Sequence, residues 1–160
     1  GWHDLRPHKK AMNAIINSPI SANIELLISP LLKQKIDSFK ILSSKNDVSV
    51  HCGVSDLGKI INTADVAIVT YGNLMFELLA LGVPTLVLGL KDFQASYADV
   101  LDREGVIISM GNEKDLTEKK MVDFINRMTR NKRKKLSKKS MSMIDTKGIS
   151  RIVKVIENEF

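Results

Sequence analysis

Cysteine is almost absent from this chain: Cys52 stands alone in 160 residues. A single thiol cannot close an internal disulfide, so a reducing, cytoplasmic setting is the default expectation. Long apolar runs are missing as well. The most apolar stretch without charge, Leu78 to Leu90, is interrupted by Gly82 and Pro84 and falls well short of the roughly 18 residues a membrane-spanning helix needs. The first residues, Gly1-Trp2-His3-Asp4-Leu5-Arg6, lack the apolar core and small-residue cleavage site of a secretory signal. No Walker loop, Gly-x-Ser-x-Gly elbow or Gly-x-Gly-x-x-Gly turn occurs. His3, His8, His51 and Cys52 have no metal-ligand spacing, and His51 reads as a core or rim histidine. Aromatic residues are scarce, and none lies between Phe124 and Phe160.

What is present suits one globular domain, with 44% apolar and 26% charged residues in a length able to bury a core. The formal charge of +6 is local. Arg127, Arg130, Lys132, Arg133, Lys134, Lys135, Lys138 and Lys139 form a basic run without an acid, and the rest of the chain is slightly acidic. A solvated helix is the first reading of that run, and an anionic membrane or an acidic partner the second. Nucleic acid comes third, because no aromatic side chain is interleaved to stack on bases. Met121, Met128, Met141 and Met143 are expected to pack or cover core.

From residue 5 to about 110, apolar runs rich in Val and Ile alternate with helical patterns, the signature of βαβ units and a parallel sheet with helices on both faces. Strands are expected at 23–29, 47–51, 65–70, 85–88 and 106–109. Between them lie helices at 7–17, from Pro30 to about Ser43, at 56–63, at 74–81 closed by Gly82, and at 92–103 closed by Gly105. Beyond 110 the pattern stays helical. Asp115 to Glu118 has capping-box spacing, and the stripes Met121, Phe124, Ile125, Met128 and Ile149, Ile152, Val153, Ile156 each recur at helical intervals. We divide the chain into an α/β core, 1–110, and C-terminal helices, 111–160.

Glu77 is the one charged side chain in the apolar helix at 74–81, which follows the strand ending at Thr70 and the turn Tyr71-Gly72-Asn73. Ligands of open α/β sheets sit at the carboxyl ends of strands. With Asn73 as N-cap, Glu77 lies one turn in, on the same side. Gly72 admits a ligand close to the backbone, the helix N-terminus offers N–H groups to a phosphate, and Glu77 can accept from two vicinal hydroxyls, as on a ribose. The competing reading is an ion pair at the rim. We favour the ligand reading, because the apolar neighbours of Glu77 leave little room for a solvated face and an unpaired buried charge costs several kcal/mol.

The stretch "ADVAIVTYGNLMFELLALGVPTLVLGL" with "DFQASYADVLDREGVIISMG" resembles the C-terminal domain of the two-lobe, GT-B-type nucleotide-sugar enzymes. It looks closest to the UDP-sugar hydrolase of pseudaminic acid biosynthesis and the spore-coat polysaccharide biosynthesis proteins, and more distantly to the peptidoglycan N-acetylglucosaminyltransferase. "GWHD" at the start resembles the family's Gly-Gly-x-Asp loop, which brings Gly1 and Asp4 into the expected site. "GVSDLGKIINTAD" resembles its loop and short helix, and "DTKGISRI" its Asp-Gly-x-Gly-x-x-Arg-Ile ending.

The resemblance implies that Glu77 binds the ribose hydroxyls and that Tyr71-Gly72-Asn73-Leu74 receives the diphosphate. Val54 would meet the uracil edge through its backbone, while Asp92 and Gln94 would reach toward the sugar. Helix capping for Asp92 and a solvated first-turn place for Gln94 stand as alternatives. The family has Gly-Gly-Ser-Thr where this chain has Tyr71-Gly72-Asn73-Leu74, so a glycine and a hydroxyl are replaced.

In the family a strand in the middle of the sheet precedes the Gly-Gly-x-Asp loop, and the catalytic base lies on the other lobe. We therefore expect one lobe of a longer enzyme, with no catalytic residue, no metal and no cofactor beyond the UDP-sugar substrate. The function expected is nucleotide-sugar binding for a glycosyltransferase of surface polysaccharide or sialic-like sugar biosynthesis. The alternative is a UDP-sugar hydrolase of the same architecture. A plain flavodoxin-like regulatory domain would leave Glu77, Gln94 and the C-terminal motif without a purpose.

Overall fold

A computed structural model of the chain describes residues 5–35 and 48–159. Gly1, Asp4 and most of the helix expected after Pro30 lie outside the described residues; Pro30–Lys35 forms a 3-10 turn. In chain order the elements are α1 (Arg6–Ile16), β1 (Ile24–Ile28), β2 (Val48–Cys52), α2 (Leu57–Ile61), β3 (Ala67–Thr70), α3 (Asn73–Ala80) and β4 (Thr85–Gly89). They continue with α4 (Asp92–Arg103), β5 (Ile108–Asn112), α5 (Glu118–Asn126), α6 (Arg130–Met143) and α7 (Gly148–Glu159).

Every strand pairing is parallel, as the alternation of strands and helices requires. The strands divide into two sheets, β1-β2 and β3-β4-β5, and no ladder joins them among the described residues. His51 on β2 reaches the Glu25 carboxylate on β1. The middle strand β4 has all five residues buried, which is why its sequence, Thr85-Leu86-Val87-Leu88-Gly89, shows no polar alternation. Its two faces separate the helices. Leu86 and Leu88 meet Ala14 of α1, Met121 of α5 and Leu136 of α6, whereas Val87 meets Met75 and Leu79 of α3 and Ala98 of α4. Helix α1 also turns Met12 and Ile16 onto β1 and β2, so it lies on both sheets.

Helices α3 and α4 end in the same way. Gly82 and Gly105 take left-handed φ of 71° and 74°. Val83 N–H bonds the Leu78 carbonyl, and Val106 N–H the Leu101 carbonyl, closing Schellman caps. The second cap explains why β5 begins at Ile108 and not at Val106: Val106 and Ile107 are fully buried, but Val106 still belongs to the turn. Helix α5 is capped by Thr117, whose hydroxyl accepts from Lys120 N–H, two residues later than the capping-box spacing at Asp115 suggests.

The basic run is built into the fold. Helix α6 buries Leu136 and Ser140, Arg133 pairs with Asp65 at 3.6 Å, and Arg127 lies 5.3 Å over the Phe124 ring. Met121 and Met128 are core, while Met141 and Met143 are about half exposed, Met141 packing its thioether against Gly82. Helix α7 buries none of its residues. Its entry is fixed by Asp145, which accepts from Arg151 at 2.5 and 3.1 Å and from Lys147 N–H.

Two glycines make opposite demands. A Cβ on Gly89 would stand 2.4 Å from the Ala95 backbone nitrogen, whereas one on Gly72 would meet nothing within 4 Å. Gly89→Ala is therefore expected to cost about 1–3 kcal/mol, the usual penalty for forcing atoms into a filled site, and Gly72→Ala to leave stability unchanged. Urea denaturation of the two variants checks this, and equal midpoints would contradict it. The Arg151 hydrogen bond, followed by the Lys147 N–H, holds the Asp145 carboxyl down to about 2 from its ordinary 3.8. A depressed carboxyl stabilises fully above its unfolded value and loses that contribution as pH falls through the folded one. Protection of the α7 amides should thus decline as pH drops from about 4 toward 2, and Arg151→Ala should return the Asp145 titration, followed by NMR, toward 3.8.

Candidate functional site

The carboxyl ends of β3 and β4 open onto two turns, each feeding a helix N-terminus. After Thr70 the chain passes through Tyr71 and Gly72 into α3. Gly72, not Asn73, is the N-cap, and Asn73 is the first helical residue with no side-chain capping bond. Gly72 is extended, its carbonyl accepts from Met75 N–H at 3.1 Å, and the N–H groups of Asn73 and Leu74 ahead of it have no intrahelical acceptor. The helix N-terminus expected at the end of β3 is thus formed one residue earlier, and the space beside Gly72 is open.

Glu77 is exposed, contrary to the expectation that its apolar neighbours would hem it in. Met75, Leu78 and Leu79 turn inward, while Phe76 and Leu81 are 40% and 47% exposed and share the outer face with it. Among the described residues the Glu77 carboxylate has no hydrogen bond or ion pair, so the rim ion pair is not formed there.

Gln94 is spent on backbone. Its Oε1 accepts from Leu90 N–H at 3.0 Å and Lys91 N–H at 3.2 Å, and its Nε2 donates to the Tyr71 carbonyl at 3.3 Å. One side chain thereby ties the turn after β4 to the turn after β3. Asp92 does not cap α4. It stands at the first helical position and accepts from Asn112 Nδ2 at 2.7 Å and Lys114 Nζ at 2.8 Å. The hydrogen bond to Lys114 keeps the Asp92 carboxyl below its ordinary value and the Lys114 ammonium above its own. Asn112 and Lys114 were not legible as site residues, because their partner lies twenty residues upstream and only the parallel pairing of β4 with β5 brings the two together.

Val54 is half-buried in the loop from β2 to α2, where Gly53 takes a left-handed φ of 68°. Farther along the same edge, a cavity of about 440 Å³ is lined by Gly111, Asn112, Lys120, Asp123, Phe124 and Arg127 among others. It does not include Gly72 or Glu77. Its basic and acidic groups are interleaved.

Four aromatic rings cluster around these turns. Tyr71 and Tyr97 lie 6.0 Å apart and 30° from parallel. Phe76 stands at 78° to Tyr71, and Phe93 at 74° to Tyr97. The spacing of Phe93 and Tyr97, four residues apart on a helix, was the available signal.

No protein family and no curated protein matches the chain by sequence. Solved structures do match. The spinosyn rhamnosyltransferase SpnG complexed with thymidine diphosphate covers 96% of this chain with a TM-score of 0.74 at 19% identity, and SpnG alone covers 89% with 0.67 at 21%. The spinosyn forosaminyltransferase SpnP gives 0.52 at 15%. The chain spans about two fifths of the SpnG chain, 38–40%. The likeness establishes the architecture: an α/β domain with parallel strands, folded as the C-terminal lobe of the GT-B-type glycosyltransferases is folded.

Proposed function

We propose that this domain binds the nucleotide diphosphate of a nucleotide-sugar, UDP-linked or carrying a related pyrimidine, for a glycosyltransferase-type reaction. The observation that carries the reading is the start of α3: Gly72 opens onto empty space at the carboxyl end of β3, and Glu77 stands one turn in, exposed and unshared among the described residues. A diphosphate at the N-terminus meets outward N–H groups and the positive end of the helix. Glu77 then accepts from the ribose hydroxyls. The loop at Val54 would edge the base, and Asp92, with Asn112 and Lys114, would lie toward the sugar. The thymidine diphosphate in the SpnG complex supports a pyrimidine nucleotide, and the neighbours' transferase activity favours transfer over hydrolysis. Surface polysaccharide or sialic-like sugar synthesis rests on the sequence resemblance.

Among the described residues β1-β2 and β3-β4-β5 form separate sheets bridged by α1, and the span of about two fifths of the SpnG chain supports reading the domain as a part of a larger enzyme. A parallel strand between the two sheets would join them into one. The catalytic base then belongs to another lobe.

Calorimetric titration with UDP tests the nucleotide site. Glu77→Ala should weaken binding by about 1–3 kcal/mol, the usual worth of a charged hydrogen-bond acceptor, and Gly72→Ala should weaken it at unchanged stability. Replacing Lys132, Lys134 and Lys135 with Gln should leave it unaltered, because those side chains sit on α6, away from the carboxyl edge. Equal affinity of the Glu77 variant and the parent would remove Glu77 from the site. The 160-residue chain should release no UDP from UDP-N-acetylhexosamines, since one lobe positions the donor without the group that completes the chemistry. Release that vanishes in Asp92→Asn would show a complete active site here.

A further inference from the structure

Helix α7 spans Gly148–Glu159 and buries none of its residues, yet its sequence is that of an amphipathic helix. Ile149, Ile152, Val153 and Ile156 recur at helical intervals on one face, with exposures from 45% at Val153 to 79% at Ile149. Arg151, Lys154 and Glu157 take the other face. With 3.6 residues per turn, Arg151 leaves the helix on the side roughly opposite Ile149 and Ile156. Its pairing with Asp145 at the α6–α7 junction therefore leaves the apolar stripe uncovered.

Helix α6, just before it, carries an excess of the opposite kind. It contains no acid, and Arg130, Lys134, Lys135, Lys138 and Lys139 are exposed. Of its cations only Arg133 has an acidic partner among the described residues. Lys134 with Lys138, and Lys135 with Lys139, stand at the four-residue spacing where like charges weaken a helix. Acids at these exposed positions would relieve the repulsion in water without disturbing the packing of Leu136. The half-exposed Met141 and Met143 follow these cations in the chain and precede the stripe of α7.

An acidic protein or a nucleic acid would engage the cations and leave the isoleucines in water. An apolar protein groove would take the isoleucines and leave the lysines to repel one another. A bilayer surface of anionic lipids answers both, with phosphates for the cations and acyl chains just beneath them. No helix among the described residues is long and apolar enough to cross a membrane, and α7 at about 18 Å would lie in the plane of the surface.

We propose that α6 and α7 form a docking surface for an anionic membrane, with Ile149, Ile152, Val153 and Ile156 entering the lipid interface and Lys134, Lys135, Lys138 and Lys139 facing its phosphates. The proposal is independent of the nucleotide site at the end of β3.

Co-sedimentation of the 160-residue chain with phosphatidylcholine vesicles, plain or containing about one third phosphatidylserine, tests it. The parent should partition roughly tenfold more strongly onto the anionic vesicles, and salt at about 0.5 M should remove most of that preference. Replacing the four lysines with Gln should remove it too. The pair Ile152→Ser and Ile156→Ser should lose roughly tenfold even at low salt, with urea midpoint and UDP affinity as in the parent. The fluorescence that Ile152→Trp adds should shift to the blue with the anionic vesicles and stay unmoved with polyglutamate or single-stranded DNA. Equal partitioning onto the two vesicle types, or none, overturns the proposal. So does a serine pair that binds like the parent, since any polyanion would then suffice. Self-association of the parent without vesicle binding, abolished in the serine pair, would assign the stripe to a second copy and likewise overturn it.

Discussion

The approach of α4 to the end of β4 sets the geometry of the carboxyl edge. Gly89 has no side chain where Ala95 presses in, so the first turn of α4 lies directly against the sheet. Gln94 follows from that position. One turn into the helix it can reach back to Leu90 and Lys91 and across to the Tyr71 carbonyl, which joins the two turns that shape the proposed site. A larger residue at 89 would lift α4, and the Gln94 amide would lose its reach to Tyr71. A packing constraint inside the core is thereby converted into the spacing of two loops at the surface.

Much of this architecture could be read from the order of residue types. The continuous apolar run at 85–89 has to be a strand buried on both faces, and Gly82 and Gly105 fall where left-handed caps close helices. Helix α4 occupies the expected residues, 92–103. Local pattern was weaker where two explanations share one residue. Asn73 is a good N-cap by type, yet Gly72 takes the cap and leaves Asn73 in the helix. Val106 and Ile107 have strand composition, but the Schellman cap of α4 claims Val106.

The misjudged environment of Glu77 has a similar cause. Counting apolar neighbours along the chain treats them as one shell, whereas a helix sends Met75, Leu78 and Leu79 one way and Phe76, Glu77 and Leu81 the other. The apolar character of the outer face is itself unusual, since solvent does not require it. Partners distant in sequence were beyond such reasoning altogether: Lys114 meets Asp92 only because β5 pairs with β4, and Arg133 meets Asp65 only because α6 folds back onto the β3 side of the domain.

That folding back also changes what the basic run means. A segment held by phosphate contacts alone would keep its cations free, but here Arg133 is tied to Asp65 and Arg127 lies on Phe124, while Leu136 is sealed into the core that contains Leu86 and Leu88. The remaining lysines project from a helix whose first duty is structural. Asp145 and Arg151 continue the same economy of charge at the next junction, where one bidentate pair orients a helix that buries nothing of its own. Arg127, Arg133, Asp145 and Arg151 therefore set directions between the elements of the C-terminal third, whereas Glu77, exposed near the β3 turn, has no such partner among the described residues.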